Sequence, residues 1–97
     1  MIFNWEYYIN YHSDLIENTN NNWNYKSALD HFNKLGKKEK RIYTDICIFF
    51  NWKEYIEQNS DLKSITTEEE AWKHFLYHGK TENRQIKYWD ILKQYCV

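Results

Sequence analysis

Apolar and polar residues follow one another along this chain at helical rather than strand spacing. Tyr25, Ala28, Leu29 and Phe32 fall at i, i+3, i+4 and i+7, the stripe of an amphipathic helix. Ala71, Trp72, Phe75 and Leu76 repeat that stripe. Ahead of each stripe stands a shorter apolar cluster that opens Phe-Asn-Trp: Trp5, Tyr8 and Ile9 first, then Trp52, Tyr55 and Ile56. Asn4 and Asn51 are good N-caps for these clusters. Phe3 with Tyr8, and Phe50 with Tyr55, take the flanking and fourth positions of a hydrophobic staple, and Glu54 can bond back to its cap. The spacing predicts first helices over about residues 5–12 and 52–58. Asn24 and Thr67 then cap second helices, Thr67 with Glu70 in a capping-box pattern. Gly36 and Gly79 come where a left-handed residue would end those helices. Residues 17–23, with the run Asn18-Thr19-Asn20-Asn21-Asn22, and residues 63–66 read as loops. Only Ile46 to Phe50 could compete as a strand.

The two halves are copies of one unit. Phe3, Asn4, Trp5, Tyr8, Ile9, Ser13, Asp14 and Leu15 recur at an offset of 47 as Phe50, Asn51, Trp52, Tyr55, Ile56, Ser60, Asp61 and Leu62. After a shorter loop the offset becomes 43, pairing Ala28, His31, Phe32, Gly36, Lys37, Glu39 and Arg41 with Ala71, His74, Phe75, Gly79, Lys80, Glu82 and Arg84. Such a period marks a repeat architecture. Ile86, Tyr88, Ile91 and Leu92 match Phe3, Trp5, Tyr8 and Ile9 once more, as a degenerate first helix. A terminal half-unit closes the last apolar face of a stack. We therefore expect an all-α fold of about five helices in a single domain of residues 1–97. Repeat one covers 3–43, repeat two 50–86 and a capping helix 86–96.

This pattern resembles a short tandem repeat usually met as Phe-Asp-Trp…Tyr-Leu…Pro-Asp-Leu, then His-Tyr…Gly…Glu-Gly-Arg. Such repeats occur beside glycosyltransferase domains in bacteria and in proteins of large DNA viruses, several with AT-rich genomes. The resemblance spans residues 3–41 and 50–84. Asn4 and Asn51 stand for the usual Asp, Ser13 and Ser60 for Pro, and Lys40 and Asn83 for the second Gly. The repeat brings no catalytic residue with it. It implies an accessory or interaction module, in a glycan-related or viral setting, and not a transferase.

Composition narrows the function classes. With 13 basic and 14 acidic side chains and a net charge of −1, nothing global attracts nucleic acid or an anionic membrane. Ile46 to Phe50 is the longest apolar run, far short of a bilayer span, and the first residues lack a signal peptide's character. An intracellular place, host cytoplasm or virion, is the expectation. Cys47 lies in the apolar run, so free buried thiols are expected, with pairing to Cys96 as the alternative.

Candidate chemistry is sparse. His31 and His74 recur one turn before the helix ends and suit imidazoles bonded to a loop carbonyl or nearby Asp. His74 and His78 have the i, i+4 spacing of metal ligands. Phe75 stands where a zinc-protease helix needs Glu, however, and copy one has Leu35 in place of His78, so neither metal nor cofactor is expected. The repeated Asp14, Asp61, Glu39, Glu82, Arg41 and Arg84 read as ion pairs that fix helix geometry. Lys34, Lys37, Lys38, Lys40 and Arg41 read as a solvated helix end. Nineteen aromatic residues exceed what so small a core needs. Trp23, Tyr7, Tyr11, Tyr43 and Tyr77, off the repeated positions, become candidate surface contacts together with His78. These features favour a non-enzymatic module that binds a protein or a glycan. A self-associating structural protein is the alternative, and a small enzyme accessory domain comes third.

Overall fold

The computed structural model describes residues 2–17, 22–82, 84, 86 and 89–95. Among them the fold is all-helical, with no strand. The α-helices are α1 (Trp5–Tyr11), α2 (Ser13–Ile16), α3 (Tyr25–His31), α4 (Trp52–Gln58), α5 (Glu68–His74) and α6 (Trp89–Tyr95). Single π-turns, Phe32–Gly36 and Phe75–Gly79, extend α3 and α5, and a 3-10 turn, Ser60–Leu62, takes the place of α2 in the second copy. The loop expected at Asn18, Thr19, Asn20 and Asn21, together with Asn83, Lys87, Tyr88 and Cys96, lies outside the described residues. The chain divides into two compact units, Met1–Asp45 and Ile46–Val97.

In unit one the caps act as their residue types dictate. The Asn4 side chain accepts from the Tyr7 amide at 3.1 Å, and Asn24 and Ser27 form a reciprocal capping box at 2.9 Å in each direction. Phe3 then lies against Tyr8 and Phe32, with ring centroids 5.4 and 5.3 Å away. Tyr8, Ala28 and Phe32 are buried beneath it. Tyr25, expected on the same apolar face, is 53% exposed and offers only a ring edge to Phe3. After the π-turn the chain folds back along α1. There the Asn4 amide donates to the Tyr43 carbonyl at 3.1 Å, and His12 Nε2–H donates to the Ile42 carbonyl at 2.9 Å.

Unit two repeats the plan. Asn51 caps α4 and Thr67 caps α5 through the amides of Glu54 and Glu70. The Glu54 carboxylate turns to Gln58 Nε2, 3.3 Å away, instead of back to the cap. Phe50 covers Tyr55, Trp72 and Phe75 at 5.0–5.4 Å. The final helix begins at Trp89, whose ring meets Phe75 edge-on, and it buries Leu92 completely. Ile91, matched in sequence to the fully buried Tyr8, is only half-buried. Cys47 is disulfide-bonded, which corrects the expectation of a free thiol; the chain's other cysteine is Cys96.

The glycines also need correction. Neither Gly36 nor Gly79 has a positive φ; both sit buried in the π-turns. They are required for space. A Cβ on Gly36 would collide with the Tyr8 hydroxyl and stand 2.8 Å from Phe32 Cδ1, and one on Gly79 would collide with the Tyr55 hydroxyl. Among the described residues the one non-glycine with a positive φ is Lys40, at 52°. The widened turns carry i→i−5 bonds, Lys37 N–H to Phe32 O at 2.9 Å and Lys80 N–H to Phe75 O at 3.0 Å.

Two substitutions test this assignment by urea unfolding. Gly36→Ala, ordinarily favourable inside a helix, should cost about 1–3 kcal/mol through overpacking, and less in a Tyr8→Phe background where the obstructing oxygen is gone. Lys40→Gly should stabilise by up to about 1 kcal/mol, because glycine has no steric penalty at that φ. Stabilisation by Gly36→Ala, or marked loss with Lys40→Gly, would contradict the assignment.

Candidate functional site

Each unit holds the same polar cluster. The Tyr8 hydroxyl and His31 Nδ1 are hydrogen-bonded at 2.7 Å, and Tyr55 and His74 at 2.8 Å. Burial pushes both phenols up to about 12, so each keeps its proton at neutral pH. A buried phenol must place that proton on an acceptor, and Nδ1 is the bonded partner, so the imidazole hydrogen sits on Nε2. Burial, and then the nearby Arg41 or Arg84, holds His31 and His74 below the usual imidazole range. The expected partner, a loop carbonyl or an Asp, is therefore replaced by a tyrosine 23 residues away in unit one.

The repeated arginines reach acids of their own unit. Arg41 Nη1 and Nη2 donate to the two Asp14 carboxylate oxygens at 2.9 and 2.8 Å, and Nη2 also reaches Glu39 at 3.2 Å. Arg84 donates to Asp61 at 2.6 Å and to Glu82 at 3.4 Å. The guanidinium bonds hold Asp14 and Asp61 below the usual carboxylate range. The arginines are largely covered, but water reaches about 60% of each Asp side chain, so such pairs add little stability; their effect is to fix where the chain returns after each π-turn.

The six sequence-chosen residues scatter. Trp23 is half-buried, and its Nε1–H donates to the Leu15 carbonyl at 2.9 Å while its ring meets His31 edge-on. Tyr7 and Tyr11 stack on each other along α1, with centroids 5.5 Å apart. Tyr43, expected at the surface, is buried against Phe3 and Phe32, so its contact role is corrected to a core one. Tyr77 and His78 are half-buried in unit two, and the His78 ring lies 5.3 Å from His74. No group of three His, Cys, Asp or Glu side chains able to hold a metal gathers among the described residues.

What unit one does bring together is a groove of about 310 Å³ beside α3. Asn22, Trp23, Asp30, His31, Lys34 and Leu35 line it. Except for His31, none of these positions is shared with the second copy: Asp30 faces Lys73, Lys34 faces Tyr77 and Leu35 faces His78 in the alignment. Sequence reading proposed Trp23 as a contact but not Asp30, Lys34 or Leu35, although their divergence between copies was a visible signal. Unit two carries a different surface, with Ile48 90% exposed and Phe49 beside Tyr95 at 6.0 Å. No helix among the described residues is long and apolar enough to cross a membrane.

No family model, curated protein or solved structure matches the chain.

The histidines set a pH dependence. His12 also lies below the usual range, chiefly through burial. A base with a lowered folded pKa is protonated more readily when unfolded. Its stability contribution is therefore full above about pH 6.5 and is lost as pH falls through the folded value. Asp14 and Asp61 act in the same direction lower down, being lost as pH drops below about 4. Urea midpoints should fall between pH 7 and pH 5, then again in the carboxylate range. A flat profile from pH 7 to pH 5 would contradict the buried-histidine assignment.

Proposed function

We propose that the chain is a non-catalytic helical-repeat module that binds a protein or glycan partner through the groove of its first unit. One observation carries this. Residues identical in the two copies are taken up by architecture, in the phenol–imidazole pairs, the glycines and the arginine–carboxylate pairs. Apart from His31, the groove gathers residues that differ. Side chains that need not be alike in both units are the ones free to specialise for a ligand. The resemblance to repeats found beside glycosyltransferase domains and in viral proteins supports an accessory role. The disulfide at Cys47 favours an oxidising compartment over the cytoplasm we expected.

A second reading, a self-associating structural protein such as a virion component, is favoured by the exposed Ile48, Phe49 and Tyr95 of unit two.

The two readings separate by experiment. Trp23→Ala and Lys34→Ala should each reduce partner capture from the native source at least about tenfold, a loss near 1.4 kcal/mol, while far-ultraviolet circular dichroism stays unchanged. Full capture by both variants would remove the groove from consideration. Light scattering that finds dimers or larger species, lost on Ile48→Asp, would favour the second reading instead.

A further inference from the structure

Resting on the groove reading just given, we infer that the groove takes a neutral, hydroxyl-rich ligand, a saccharide of one or two rings. The ligand is read by His31, Asp30 and Asn22 and rests on the indole of Trp23.

Charge argues first. Lys34 Nζ lies 3.0 Å from an Asp30 oxygen, so the two ionised groups lining the groove offset one another. His31 is held toward its neutral form. A groove with no net charge has no preference for a phosphate or an ammonium group.

Donor and acceptor types argue second. With Nδ1 committed to Tyr8, His31 has Nε2 as the ring nitrogen open to a ligand. A carboxylate can accept from two neighbouring hydroxyls, and an amide both donates and accepts. Together these groups match the alternating donors and acceptors of a sugar ring.

Rigidity and size argue third. The Trp23 indole N–H is tied to the Leu15 carbonyl, and the phenol fixes the His31 ring, so both walls are set before a ligand arrives. Trp23 is half-buried rather than enclosed, and its uncovered part is available to the C–H face of a sugar. A volume of about 310 Å³ lies at the small end of ligand sites. A protein partner would need about 800 Å² of surface on each side.

The test uses the full chain, labelled with nitrogen-15, and follows the Trp23 indole and His31 ring signals. One arm adds lactose, maltose, mannobiose, xylobiose and di-N-acetylchitobiose, each up to about 10 mM. A second arm adds glucose 6-phosphate beside glucose, and a third a pool of random peptides. At least one neutral sugar should move both signals, and Asp30→Asn, an exposed change that leaves the fold intact, should weaken that binding about tenfold. A phosphate sugar that binds more tightly than its neutral parent overturns the inference. Peptides that move these signals where sugars do not overturn the saccharide assignment and leave the groove as a partner site. If nothing in any arm moves them, both readings fail.

Discussion

A buried phenol needs room for its oxygen and an acceptor for its proton, and the fold of each unit meets both demands at one point. Tyr8 and Tyr55 are completely buried, and leaving either hydroxyl unpaired would cost about 1–3 kcal/mol. Gly36 and Gly79 supply the room; His31 and His74 supply the acceptor. Because glycine and histidine lie on the second helix and its π-turn while tyrosine lies on the first, this contact sets how closely the two helices approach. The remaining shared features depend on that approach. Phe3 and Phe50 seal the top of the joint, and the arginines fix the chain that leaves it.

The same constraint shapes the groove of unit one. An imidazole whose Nδ1 is held by a buried phenol is fixed in place, and in unit one that residue, His31, lines the groove. The architecture thus orients one group and leaves the surrounding positions free to vary. Copy two places Lys73, Tyr77 and His78 where copy one has Asp30, Lys34 and Leu35, so the two units present different chemistry on a common frame.

Local signals in the sequence were readable because their causes are local. The caps at Asn4, Asn24, Asn51 and Thr67, the staples, and the apolar stripe of α5 all depend on neighbours within one or two turns. What escaped depends on distant partners. Gly36 looked like a helix terminator, since sequence position does not distinguish a glycine needed for φ from one needed for space. Tyr43 looked superfluous because the return of the chain past α1, which buries it, is fixed by the amide of Asn4 and the ring of His12. Trp23 was singled out as a surface contact from its place off the repeat, but its indole N–H serves the loop through Leu15, a distant bond that spacing does not reveal. The bonded state of Cys47 was one of two alternatives that composition alone left open.

The phenol–imidazole contact is most directly tested by nitrogen-detected magnetic resonance of the histidine rings at neutral pH. His31 and His74 should both show a single neutral form with hydrogen on Nε2, and Tyr8→Phe should release only His31, Tyr55→Phe only His74, into a mixture of tautomers. Mixed tautomers in the unaltered chain, or rings indifferent to loss of the phenol oxygen, would contradict the claim that this contact organises each unit.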